Sequence, residues 1–150
     1  MKRIFFLVLA AFLFSGILSC SKKSGGGSSP TAKTETVSFK ITLNPVPGSN
    51  QGAFNGACDG LLANGNYAVW KVNGVTRSNE AAIAFTQTDF QNGVLTLEAT
   101  TDVTTATLDV GGATVPTLPF TVTVVPTING VVTDSTVLPV TSTMQRDWTF

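Results

Sequence analysis

Two cysteines, Cys20 and Cys58, and the complete lack of histidine set the nucleophilic chemistry open to this 150-residue chain. A thiol attacks as thiolate, which needs a base or an electropositive neighbour. Without imidazole the most frequent general base is missing, and with it the usual serine triads and the common zinc sites. Cys58 sits in Asn55-Gly56-Ala57-Cys58-Asp59-Gly60, a turn-like stretch of small residues, and reads as an incidental or buried thiol. The carboxylates Asp59, Glu80, Asp89, Glu98, Asp102, Asp109, Asp134 and Asp147 are scattered. Glycoside hydrolysis needs two of them facing each other across a cleft, which this spacing does not establish. Oxygen ligands for calcium occur in residues 89–93 and 55–66, yet neither stretch follows the EF-hand spacing, and Asp, Asn and Gly are turn formers first. The expectation is therefore no enzyme, no cofactor and no metal.

Cys20 belongs to a different chemistry. Lys2 and Arg3 precede Ile4 to Leu18, an apolar run broken only by Ser15 and Gly16, which is the layout of a secretory leader. As a helix the run would reach about 22 Å, short of the bilayer's apolar core of about 30 Å. The stretch Ile17-Leu18-Ser19-Cys20 resembles the lipobox of bacterial lipoproteins, an aliphatic residue, a variable one, a small one and the lipidated cysteine. The resemblance implies cleavage after Ser19, thioether lipidation of Cys20 and acylation of its new amine with palmitate-like chains. Leu18 departs from the Ala or Ser more common at its place. Several acyl chains hold a protein to a membrane where a single one holds it marginally. Ser21 is not the aspartate of inner-membrane retention, so the resemblance implies the outer membrane of a Gram-negative bacterium.

The elements that would follow such an anchor divide cleanly by composition. Residues 1–19 form the leader. Residues 20–36 comprise Cys20 and a Ser-, Gly-, Thr- and Lys-rich stretch without a large apolar side chain, a tether that spans roughly 22 Å. Residues 37–150 have the size of one domain with one core. Loss of Lys2 and Arg3 with the leader leaves seven basic against nine acidic residues. No basic stripe is present, which excludes nucleic acid as an expected partner.

Within 37–150 the pattern is that of strands. Val37, Phe39, Ile41 and Leu43 alternate with polar residues, a period of two with one apolar face. Residues 67–72 continue in kind, then Asn73-Gly74 supplies a two-residue hairpin turn with 75–77 returning. Further strands are expected over 82–86, 94–100, 105–110, 120–125, 131–133 and 146–150. Asn92-Gly93, Gly111-Gly112 and Asn129-Gly130 are read as turns between them, and Pro116, Pro119, Pro126 and Pro139 as loop or edge residues. Thr105/Thr107 and Thr121/Thr123 follow ordinary β-propensity. The fold class is all-β, a single antiparallel β-sandwich.

Tyr67-Ala68-Val69-Trp70-Lys71-Val72-Asn73-Gly74 resembles the strand C to C′ hairpin of bacterial immunoglobulin-like domains, which implies an immunoglobulin-like sandwich with Trp70 between its sheets. Together these features predict a lipid-anchored envelope protein that binds a protein or glycan through loops at one end of the sandwich. The loops chosen are 44–52 and 55–66, with Asn55, Asp59, Asn64 and Asn66 as the residues to bind. The competing expectation is a scaffold subunit of an envelope complex, joined by strand pairing at an open edge; hydrolysis is a remote third.

Overall fold

The computed structural model describes residues Ala32–Phe150, and the leader, Ser19 and Cys20 lie outside the described residues. The described chain runs β1 (Val37–Asn44), β2 (Gly52–Leu61), β3 (Trp70–Val72), β4 (Val75–Arg77), β5 (Ile83–Thr86), a one-turn helix (Gln87–Asp89), β6 (Val94–Ala99), β7 (Thr105–Thr114), β8 (Phe120–Ile128), β9 (Val131–Val132), β10 (Thr136–Val140) and β11 (Thr143–Thr149). One sheet has the order β10-β8-β1-β6-β3-β4, with β9 also on β8, and the other the order β11-β7-β2-β5. Every pairing is antiparallel. The domain is an all-β sandwich of two antiparallel sheets, as its alternation predicts.

Val37, Phe39, Ile41 and Leu43 of β1 bury their side chains with Leu95 and Leu97 of β6 and Val122 and Val124 of β8. From the opposite sheet come Phe54, Cys58, Ile83, Phe85, Leu108 and Val110. Trp70 is fully buried in this core, stacked on Phe39 with ring centroids 6.0 Å apart. No charged or polar residue is buried among the described residues, so burial of apolar surface holds the layers together, at roughly 25 cal/mol per Å².

Of the five Asn-Gly pairs, three turn the chain through successive positive φ values, while Asn55-Gly56 lies inside β2. Asn73, Asn92 and Asn129 have φ of 49°, 50° and 53°, and Gly74, Gly93 and Gly130 have φ of 80°, 78° and 76°. Two successive positive φ values define the hairpin turn whose twist matches its strands. Asn73 adds a tie of its own: its side-chain amide donates to the Asp89 carbonyl at 2.8 Å, and its side-chain oxygen accepts from the Thr96 amide at 3.0 Å.

The structure corrects the reading at several points. Gly111-Gly112 is not a turn but the interior of β7. Pro126 lies inside β8, at the break where β10 ends its pairing at Val124 and β9 begins at Thr127. Its missing N–H therefore leaves no ladder partner wanting. Residues 136–140, not read as a strand, form β10, whose Pro139 occupies the free edge of the sheet. The folded chain also begins slightly before residue 37: Glu35 exchanges backbone hydrogen bonds with Val103 at 2.8 and 2.9 Å, and Thr36 bonds Asn129.

Candidate functional site

The stretch 55–66 is not one loop. Asn55 to Leu61 belong to β2, which pairs with β7 along all ten of its residues and with β5 from Asn55 to Cys58. Asn55 and Asp59 are thus strand residues on the outer face of the four-stranded sheet. Asn64 and Asn66 stay in a connection, where the Asn66 amide donates to the Asn64 side-chain oxygen at 3.0 Å. Residues 45–51, by contrast, do form the β1 to β2 connection. Because β2 rises about 3.3 Å per residue, the two chosen loops leave its opposite ends about 30 Å apart. They do not combine into one site.

What Asn55 does join is a hollow on the outer face of its own sheet. Gln145 of β11, Gly111 of β7, Asn55 of β2 and Thr86 of β5 are register partners in one row across all four strands. The next row is Asp147, Asp109, Ala57 and Ala84. Gly111, Ala57 and Ala84 lack the bulk that outward strand positions usually carry, so the face sinks into a hollow of about 620 Å³. Asn55, Thr86, Asp89, Asp109 and Gln145 supply polar groups around it, and among the described residues no basic side chain lines it. The pattern was hard to foresee because its members come from four strands and its floor is defined by small residues.

The hollow's electrostatics are one-sided. Asp109 and Asp147 stand in register on adjacent strands, both exposed, a like-charge juxtaposition that a sheet tolerates at a cost. The Asp89 carboxylate accepts from the Thr86 amide at 2.7 Å and caps the one-turn helix. That part of the calcium-like stretch 89–93 therefore has a local structural task, and Asn92-Gly93 is a hairpin turn. Asp59 accepts from the Thr107 hydroxyl across the strands. Among the described residues no three of His, Cys, Asp and Glu gather as metal ligands.

Cys58 points the other way, into the core, where it is a free thiol. Burial foremost, and the adjacent negative charge of Asp59 second, push the thiol well above its ordinary value of 9.0. Such a group stays protonated and is not a nucleophile at neutral pH. Among the described residues no helix is long and apolar enough to cross a membrane.

No family model matches the chain, and no curated protein matches it in sequence. Among solved structures, a domain of unknown function, DUF4425, from Bacteroides vulgatus superposes with a TM-score of 0.60 at 9% identity, covering 78% of this chain and 94% of that one. A DUF4425 family protein from Bacteroides ovatus gives a TM-score of 0.60 at 10% identity, over 79% and 95%. The calcium-bound form of a protein from Parabacteroides distasonis gives 0.53 at 13% identity, over 83% and 99%. At these identities the likeness is one of fold alone.

Proposed function

We propose that this chain is a lipid-anchored cell-envelope protein, held through Cys20 in an outer membrane, that presents its β-sandwich as a binding module. The hollow on the four-stranded sheet is the recognition face, in place of the loops. The observation that carries this reading is the floor of small residues in two adjacent rows, Gly111 in one and Ala57 and Ala84 in the next, which leaves about 620 Å³ open among donors and acceptors from four strands. Sites built on strands hold their groups more firmly than sites on loops. The ligand that fits is an extended segment of a protein partner carrying donors or positive charge, because Asp89 and Asp109 line the hollow, Asp147 adjoins it and no basic side chain among the described residues lines it.

Strand pairing as a scaffold has one uninterrupted edge to work with, the seven-residue β11 of the four-stranded sheet, whereas the other three edges are blunted. β4 has three residues, β10 carries Pro139 at its edge, and the amide of Gln87 bonds the strand beyond the end of β5. Edges shortened or interrupted in these ways resist strand addition. Hydrolysis has a pair of carboxylates, Asp109 and Asp147, but they stand side by side on one open face, whereas a glycosidase flanks the bond from opposite sides.

Two measurements test the two halves of the proposal separately. Intact mass of the membrane-extracted protein should equal the chain from Cys20 onward plus its acyl groups; the mass of all 150 unmodified residues would refute the anchor. Crosslinking in membranes should capture one stoichiometric protein with the parent chain and lose it with Ala84→Arg, which fills the hollow from an exposed position. Capture undiminished by Ala84→Arg would refute the recognition face.

A further inference from the structure

A second opening lies away from the hollow, along the side of the sandwich where β11 and β10 leave both sheets unclosed. β11 alternates, and its sandwich-facing row is Met144, Arg146 and Trp148, opposite Gly112, Val110 and Leu108 of β7. Leu108 and Val110 are buried, so Arg146 projects from the core-facing side of an edge strand and is nevertheless exposed. No described residue covers it, because the facing sheet ends at β10 and β9. The result is a cleft of about 380 Å³, whose other wall is formed by Thr133, Asp134 and Thr136. That volume falls within the usual range of small-molecule sites, roughly 300 to 1,000 Å³.

The chemistry of the cleft is specific. Trp148 is half-buried, its indole packed against the core and lining the opening. Arg146 and Asp134 line the same opening and form no ion pair with each other or with another described residue. A guanidinium that only donates and a carboxylate that only accepts thus face one space, beside threonine hydroxyls that do both. An anion would meet Asp134, and a cation would meet Arg146. A neutral ring bearing hydroxyls satisfies both, since one hydroxyl accepts from Arg146 while another donates to Asp134.

The geometry points to a saccharide subsite in this seam, taking one neutral pyranose with its apolar C–H face on Trp148 and its hydroxyls bridging Arg146 and Asp134. The site is independent of the hollow and of the membrane anchor. Its recognition rests on two charge-assisted hydrogen bonds and one aromatic contact, so a single unit binds in the millimolar range, about 4 kcal/mol.

The test uses the full chain in detergent and a panel of methyl pyranosides of glucose, galactose, mannose and N-acetylglucosamine. Trp70 is fully buried, so acrylamide quenching of tryptophan fluorescence reports Trp148. At least one pyranoside should protect Trp148 saturably. Asp134→Asn should weaken that protection about tenfold or more, since it removes one charge-assisted pairing, and Arg146→Lys should weaken it less, since an ammonium still donates. Arg146→Lys keeps the edge charge and loses only the planar fork. Both positions are exposed, so the variants should keep the parent's unfolding midpoint. Trp148→Leu should abolish binding measured by NMR shifts of the sugar. No saturable protection by any of the four sugars would overturn the subsite, as would protection equal in the parent and both exposed variants.

Discussion

Removal of the Gln87 side-chain amide should cost the fold about 2 kcal/mol, although Gln87 belongs to no strand and only a one-turn helix. β5 pairs with β2 only as far as Thr86 opposite Asn55. Beyond that point the Phe54 amide and the Gly52 carbonyl face the free edge with no strand to meet them. The Gln87 side chain takes both, its Oε1 accepting from the Phe54 amide at 2.8 Å and its Nε2 donating to the Gly52 carbonyl at 3.5 Å. The first bond is the shorter and is part-buried, above a Phe54 ring that is almost wholly enclosed. A buried donor left without an acceptor costs about 1 to 3 kcal/mol, and the longer second bond adds little. In urea unfolding with a slope of about 2 kcal/mol per M, Gln87→Ala should move the midpoint down by about 1 M at unchanged slope. Gln91→Ala, at an exposed position nearby, serves as the control and should shift stability by no more than about 0.5 kcal/mol. Amide exchange at Phe54 should accelerate in Gln87→Ala alone. Equal midpoints for the two variants would refute the assignment of Gln87 as a substitute strand residue.

Gly56→Ala should lower the melting temperature strongly, because a Cβ there would lie 2.5 Å from the Asp109 carbonyl oxygen and 2.6 Å from Phe85 Cε2. Overpacking of this kind costs about 1 to 3 kcal/mol, and a second change, Phe85→Leu, should restore less than it removes because the carbonyl cannot move aside. Asn73→Ala should destabilise by about 1 to 3 kcal/mol in urea, since it frees the Asp89 carbonyl and the Thr96 amide and places Ala at φ 49°. Cys58 should resist alkylation in the folded protein and react on unfolding. Its raised folded value means that the unfolded chain releases the proton first as pH climbs. The stabilisation is thus full below about pH 9 and falls above it by about 1.4 kcal/mol per pH unit, a slope that Cys58→Ala should remove in urea titrations at rising pH.

The sandwich itself was legible because β1, β3, β6 and β8 of the larger sheet alternate and its hairpins carry Asn-Gly. β1, the β3–β4 hairpin, β6 and most of β8 follow from those two signals. The candidate site was not legible. Asn55 was singled out, but as a loop residue, and Asp109, Thr86 and Gln145 had no feature in the sequence that tied them to it. Register, which sets the row Gln145, Gly111, Asn55 and Thr86, is a long-range property fixed only when one face of each strand is buried. Trp148 packs on the core; its place beside the cleft depends on β10, a strand hidden by Pro139.

The misread glycines share one physical cause. In β2 the inward positions are Phe54, Gly56, Cys58 and Gly60, so the period of two was present but half of its bulky members were missing. Those members stand on neighbouring elements instead. A Cβ at Gly60 would come within 3.2 Å of Trp70 Cζ2, one at Gly112 within 3.1 Å of Phe120 Cζ, and one at Gly56 into the Phe85 ring. Three times the chain sets a glycine on the four-stranded sheet beneath a large aromatic ring. Close packing of the interior requires such pairing of large with small residues, because two large ones would overfill the layer. The same logic connects the two features that seemed unrelated in sequence: Trp70 can be fully buried between the sheets because Gly60 leaves room for it. At these three positions a glycine between alternating outward residues is the socket for a ring and not a turn. Gly60→Ala should accordingly strain Trp70 and change its near-ultraviolet circular dichroism, whereas Gly65→Ala, with nothing within 4 Å, should leave that signal unchanged and cost only the strain of its φ of 81°. An unchanged tryptophan signal in Gly60→Ala would sever the link between the socket and the ring.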